Sequence, residues 1–320
     1  MTSPSLIYWA ALNFVPGLGA AGMLRLVSHF GSPQKVLAAS PEQLLTLGKL
    51  SADQAEQIGR LNHNLSAVKA EIVGLRARGI KLVTMDQPNY PQPLLALNRP
   101  PPLLYFKGKL PADYRLAVAI VGTREPDAAG RQLAFELARG LCRAGWTIVS
   151  GLARGIDTAA HQGCLQARRR VASERSRTIA VLGSGLERIY PPENRELAEA
   201  ICRRGALISE VPPWTPAHRG HLLARDRIQA GLSRAVVVVQ ATERCGSLVT
   251  AAHASKLGRL VFYFNWPAGS PFRAGMRRLK ELRGIPLSGL EQALAVIQII
   301  AIGRWPLPDP KPHPLFSTGD

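Results

Sequence analysis

Four times between residues 117 and 251 the chain leaves a short apolar run, crosses a turn rich in Gly, Ser, Thr or Arg, and enters a helix-forming segment. The passages are AIVGTREP (residues 119–126), IVSGLARGIDTAAH (148–161), IAVLGSGLERIYPP (179–192) and VVVVQATERCGSLVTA (236–251). Runs such as VVVV suit strands covered on both faces, and strands alternating with helices build a doubly wound α/β sheet, Rossmann-like and mostly parallel. In such a sheet the strand ends face one way. The four turns therefore converge on one crevice, with backbone N–H groups and helix N-termini directed into it. Arg124, Arg154 and Arg244 lie in or beside these turns, and the chain carries 40 Lys+Arg against 22 Asp+Glu, a formal net charge of +18. That balance favours a polyanion over one small nucleotide.

With 320 residues, 46% of them hydrophobic, the chain can bury a large core and hold more than one unit. Residues 1–65 read as short helices joined by tight turns, with Val15-Pro16-Gly17-Leu18-Gly19 and Leu47-Gly48-Lys49-Leu50 in equivalent places. This all-α unit resembles a tandem helix-hairpin-helix, whose glycine turns expose N–H groups to a DNA phosphate. A small bundle that only packs, or binds a protein, is the alternative. Residues 66–113 form a connecting unit: a helix over 66–78, a strand over 80–84, and the proline-dense DQPNYPQPLLALNRPPPLLYFKG as a linker. The large unit covers 114–287, with strands expected at 117–121, 147–149, 178–182, 207–209, 235–240 and 260–263. Its helix over 131–142 carries Leu133, Ala134, Leu137, Ala138 and Leu141 on one stripe. Residues 288–320 give a short apolar helix and a tail with Pro306, Pro308, Pro310, Pro312 and Pro314, expected to be disordered.

Each turn has its own chemistry. At Gly122-Thr123-Arg124 a glycine admits a ligand to the backbone, a hydroxyl can donate to phosphate oxygen, and a guanidinium can make a bidentate contact. Ser150, Gly151, Arg154 and Gly155 form a second N–H cradle; Asp157 after them suits a helix cap better than a catalyst, and His161 a packed core position. Arg225 and Arg227 precede the VVVV strand and either frame the crevice or pair locally with Asp226. Gly246, Ser247 and Thr250 open a helix whose free N–H groups make a fourth anion site.

Several classes are excluded or disfavoured. GTREPDAAG is not the G-x-G-x-x-G of a dinucleotide site, so NAD is not expected, and neither is any other cofactor. Cys142, Cys164, Cys202 and Cys245 lack C-x-x-C spacing, which argues against zinc and against a disulfide framework and suits a reducing cytoplasm. The apolar runs are too short to span a bilayer. The five-arginine stretch ARRRVASERSR (167–177) reads as a solvated loop at the far end of the sheet, peripheral to the crevice.

In order, VPGLG, FGSP, DQPNYPQPLLALNRPPPLLYFKG, GTR, SGLARGIDTAAH, AVLGSGLERIYPPENREL, RDRIQAGLSRAVVVV, GSLVTA and LGRLVF resemble the DNA-processing protein family called DprA or Smf. The resemblance implies a Rossmann-like core, a homodimer, single-stranded DNA in the basic crevice, delivery to the RecA recombinase during natural transformation, and no enzymatic reaction. It carries the DNA-binding role to Gly122, Thr123, Arg124, Ser150, Gly151, Arg154, Gly155, Arg225, Arg227, Gly246, Ser247 and Thr250. The chain departs from the family pattern where Asp226 replaces Asn, Gln229 replaces Ile, HLLA (221–224) replaces aromatic and basic residues, and Trp266 follows the last long strand. The winged-helix-like C-terminal domain of many relatives is not expected here.

Two rivals belong to other classes. The crevice also resembles that of phosphoribohydrolases carrying P-G-G-x-G-T-x-x-E, but Thr250 stands where their glutamate acts and cannot serve as acid or base at neutral pH. A protein-recruiting adaptor with a vestigial crevice is the third reading.

Overall fold

The computed structural model describes residues 4–167 and 177–301. All but the two end residues of the arginine-rich stretch, and the proline-bearing tail, lie outside the described residues.

Six helices come first: α1 (Pro4–Phe14), α2 (Gly19–Phe30), α3 (Pro33–Ala38), α4 (Pro41–Thr46), α5 (Ala52–His63) and α6 (Leu65–Ala77). Serine caps set the starts of α3, α4 and α5. Ser32 accepts from the Lys35 N–H, while Ser40 with Gln43 and Ser51 with Gln54 form capping boxes. The α1–α2 turn needs glycine, because Gly17 and Gly19 have φ of 74° and 55°. Gln54 Nε2 donates to Pro16 O at 3.2 Å and ties that turn to α5.

A single nine-stranded sheet follows, in the order β1-β2-β6-β5-β4-β3-β7-β8-β9. Its strands are β1 (Ile80–Thr84), β2 (Leu103–Gly108), β3 (Ala117–Val121), β4 (Thr147–Ser150), β5 (Thr178–Val181), β6 (Ala206–Ser209), β7 (Ala235–Val238), β8 (Leu260–Phe264) and β9 (Ile285–Leu287). From β6 through β9 all neighbours run parallel, whereas β2 is antiparallel to both β6 and β1. The helices of this part are α7 (Ala128–Arg143), α8 (Ile156–Gln166), α9 (Arg195–Arg204), α10 (Arg219–Leu232), α11 (Ser247–Lys256), α12 (Arg273–Glu281) and α13 (Leu290–Ala301). Strands β3 and β7 are neighbours, yet β3 leads on to β4 at one side and β7 to β8 at the other. This is the topological switch point, where open α/β sheets bind ligands.

The sheet does not stop at the division drawn before residue 114. Within the stretch expected to be a linker, LLYFKG is β2, with Leu103, Leu104, Tyr105 and Phe106 buried. It joins the helical part to the sheet: Tyr105 Oη donates to Asn13 Oδ1 at 2.8 Å, and Asn13 Nδ2 donates to Glu210 O at 3.2 Å. Strand β9 was likewise not anticipated.

The expectation of no disulfide is corrected: Cys142 and Cys164 are paired, with Cα atoms 5.3 Å apart. Spacing could not reveal this, because the pairing comes from close helix packing. A Cβ at Gly163 would lie 2.1 Å from Phe135 O, so α7 and α8 touch backbone to backbone and bring two buried cysteines together. Cys202 and Cys245 are free thiols. Among the described residues, no helix is long and apolar enough to cross a membrane, and no His/Cys/Asp/Glu group could hold a metal.

Candidate nucleic-acid interface

At the carboxyl ends of β3, β4 and β7 lies a cleft of about 680 Å³. Gly122, Thr123, Arg124, Arg225, Gly246, Ser247 and Thr250 line it, with Gly151 and Arg154 in an adjoining recess beside Arg124 and Arg225. Ser150, Gly155 and Arg227 line neither.

The first turn is built for close packing. A Cβ at Gly122 would lie 2.5 Å from Ile156 Cγ1 and 2.8 Å from Gln240 O. The Thr123 N–H donates to Gln240 O at 2.7 Å, and the Thr123 hydroxyl accepts from the Glu125 N–H at 3.2 Å, leaving its own proton for a ligand. Arg124 is exposed. The start of α7 is already satisfied: Asp127 accepts from the Gly130 N–H at 2.7 Å and from Gln240 Nε2 at 2.8 Å.

The second turn differs from the open cradle expected. Asp157 is buried inside α8 and accepts from the N–H groups of Gly151 (3.0 Å) and Ala153 (3.3 Å), which are thereby withdrawn from a ligand. Burial raises its pKa, against the opposing pull of Arg225. Ser150 points into the sheet, donating to Ile120 O at 2.7 Å, and Gly155 packs against Thr123 O. Arg154 projects outward and bonds to Glu193. His161 is a core residue, with Nδ1 2.6 Å from Thr178 Oγ1 and a pKa lowered to about 3 by burial and by Arg225.

Arg225 and Arg227 part company, because two steps along a helix turn a side chain through roughly 200°. Arg225 Nη1 donates to Val181 O at 2.8 Å and occupies the room left by Gly151, where a Cβ would lie 1.4 Å from it. Its Nε lies 3.0 Å from Asp226 Oδ1. Arg225 thus braces two crevice turns, those after β4 and β5, from behind. Arg227 pairs with Glu210 on the other side of α10, so its expected place in the crevice is corrected.

The fourth turn stays open. No side chain caps α11, and nothing lies within 4 Å of where a Gly246 Cβ would be. The Leu248 and Val249 N–H groups donate to Cys245 O (3.1 Å) and Gly246 O (2.9 Å), which leaves the N–H groups of Gly246 and Ser247, both lining the cleft beside the exposed Arg244, as the end of the helix that favours an anion.

Sequence reading missed two features of this cleft. Tyr190, 38% exposed, stands at its mouth and offers a ring to a base; it lay in the quoted IYPP string, but an aromatic beside a turn carries no periodic signal. Asp226, buried against Arg225 and Gln229, has a carboxyl pushed up to about 7 by burial and by Asp157, with Arg225 and Arg124 opposing. At the HLLA departure, Leu222 and Leu223 face the cleft and no aromatic does. Trp266 is engaged elsewhere, its indole N–H donating to Val239 O at 2.7 Å.

Comparison with known proteins places these features in a family context. The profile described as DNA recombination-mediator protein A matches residues 81–296, and that of a SAM-like helix-hairpin-helix tandem matches residues 10–58. Protein Smf of Synechocystis sp. is 35% identical over 100% of this chain and 78% of its own length, and Protein Smf of Escherichia coli is 33% identical over 97% and 79%. The crystal structure of DNA processing protein A from Streptococcus pneumoniae superposes with a TM-score of 0.67 at 28% identity, covering 90% of this chain and 97% of that one. DNA processing protein A from Helicobacter pylori, solved for its single-stranded DNA binding mode, gives 0.59 at 27% identity over 68% and 95%.

Proposed function

The chain belongs to the DNA recombination-mediator protein A (DprA/Smf) family, and from that premise we propose that it binds single-stranded DNA in the cleft at the switch point. The observation that carries this reading is the uncapped N-terminus of α11 lying in one cleft with Arg124 and Arg244. Helix N–H groups and guanidinium groups hold phosphates without reading bases. Tyr190 supplies a stacking face, which any base can use. Gly122, Thr123, Arg124, Gly246, Ser247 and Thr250 contact the strand in this reading; Arg225 and Gly151 shape the floor beneath it. Family membership further supports a role in DNA processing during transformation, with protection of the strand, delivery to a RecA-type recombinase and a homodimer as its finer parts. Sedimentation of the protein alone and with recombinase-coated oligonucleotide tests those parts.

Asp226 favours a second reading, since a carboxyl near 7 in a cleft suits general acid or base work. We favour binding, because Thr250 stands where the hydrolase relatives need glutamate. Titrating labelled oligonucleotide while assaying nucleoside monophosphate hydrolysis separates the two. Tight oligonucleotide binding without turnover is expected; turnover abolished by Asp226→Asn would establish the hydrolase instead.

A further inference from the structure

We propose that the opposite end of the sheet holds a second ligand site, a pocket for a small organic phosphate with a flat apolar body, of the mononucleotide class. A cavity of about 930 Å³ lies there, among the amino-terminal ends of the parallel strands. Its walls are residues 109–115 between β2 and β3, the turn from α10 into β7, Arg259 before β8, the β1–β2 edge, and residues 88–93.

Four polar atoms of this lining are buried without a hydrogen-bond partner among the described residues: Tyr114 Oη, Ser233 Oγ, Arg234 Nε and Arg259 Nε. Tyr114 is 9% exposed and Ser233 1%. A buried polar atom rarely lacks a partner, and four on one cavity point to something that binds there. Arg234 and Arg259 also repel one another. Burial and the neighbouring Arg234 charge both depress the Arg259 pKa. Their positions are fixed by the backbone, the Arg234 N–H donating to Ala117 O at 2.8 Å and the Arg259 N–H to Ala254 O at 2.9 Å. The lining carboxylate, Asp113, pairs with Arg115 at 2.7 Å.

Two guanidinium groups with two hydroxyls give the cavity a set of donors matched to phosphate oxygens. The rest of the lining adds the cations Lys81, Lys109, Arg115 and Arg177 together with an apolar surface. Tyr90, whose hydroxyl is used by Pro101 O at 2.8 Å, joins Phe106, Leu110 and Leu232 as an apolar wall. Inorganic phosphate would leave most of this volume empty, whereas cavities of roughly 300–1,000 Å³ take ligands of nucleotide size.

Calorimetry on the full chain with adenosine 5′-monophosphate tests the proposal, with adenosine and inorganic phosphate as half-probes and saturating oligothymidylate present throughout. One nucleotide per chain is expected, bound at least about tenfold more tightly than either half-probe. In Arg234→Gln/Arg259→Gln that affinity should fall by about tenfold or more, with oligothymidylate binding unchanged. The unliganded variant should melt no lower than the natural chain, since a repulsive pair has been removed, and nucleotide should no longer raise its melting temperature. Three results would overturn the proposal: no nucleotide binding at millimolar concentration, binding untouched by the double substitution, or inorganic phosphate bound as tightly as nucleotide.

Discussion

Burial holds the Asp226 carboxyl at about 7 instead of 3.8, so near neutral pH the cleft carries a fraction of one extra negative charge beside Arg225. A folded-state value above the unfolded one means that its stabilising contribution is present at acid pH and is lost as pH rises through about 7. His161 acts in the opposite sense: its value drops from 6.5 to about 3, so its contribution is present above 6.5 and is lost as pH falls. Unfolded His161 and His253 still release protons just above pH 6.5, with the opposite sign, so the Asp226 contribution is read as the difference between the natural chain and Asp226→Asn. Relative to Asp226→Asn, the natural chain should lose melting temperature as pH rises from about 4 to just above 7 and run parallel to the variant beyond that. Oligonucleotide affinity should weaken as pH rises through about 7 on the order of three- to tenfold, and the Asn variant should keep the low-pH affinity. A variant with an unchanged slope would show that Asp226 is not the titrating group. Arginines separate as cleanly. Arg124→Ala should cost about 1.5–3 kcal/mol of oligonucleotide binding with little change in melting. Arg227→Ala should instead cost on the order of 3 kcal/mol of stability, by stranding Glu210, and should not act selectively on DNA. Sequence reading put both Arg225 and Arg227 in the crevice because Gly231 and Ser233 set their segment directly before a central strand and both match the family string. Phasing the helix would have shown that only one can face it, though not which.

Helix α11 is the element on which the phosphate reading turns. Gly246 has ordinary helical backbone and open space around its Cβ position, so Gly246→Asp fits without strain. A carboxylate there should stabilise the helix N-terminus by about 0.3–1 kcal/mol while repelling a phosphate. Raised melting temperature with weakened oligonucleotide binding is the expected pair of results, read by thermal denaturation and fluorescence anisotropy. Unchanged binding would make residues 246–250 a structural helix start and nothing more. The central strands were legible because parallel strands covered on both faces read as unbroken apolar runs, and AVAIV is β3 to the residue. Strand β2 was not, since the prolines upstream of LLYFKG obscure a short edge-side pairing. The loop from Ser150 to Asp157 was legible as a turn but not as a closed one. Only the fold reveals that Asp157 spends itself on the Gly151 and Ala153 N–H groups.

At the scale of the molecule, the sheet separates two basic ends. One has the open α11 N-terminus with Arg124 and Arg244; the other has the Arg234 and Arg259 pair. Helices α1 to α6 are anchored to the sheet through Asn13 and Tyr105, so the helix-hairpin-helix tandem is carried on the same body as the cleft. A net charge of +18 attracts any nucleic acid, and bulk affinity therefore does not establish that the cleft is used. The salt dependence of binding does. Each phosphate neutralised on a single strand contributes about −0.7 to the slope of log affinity against log salt, so a double Arg124→Ala/Arg244→Ala variant should lose on the order of 1 from that slope. The most direct measurement is this slope for the natural chain and the double variant, on single-stranded and duplex oligonucleotides of one sequence. The account expects tighter binding to the single strand and a shallower single-strand slope in the variant. Equal affinity for duplex, or an identical slope in the variant, would contradict it.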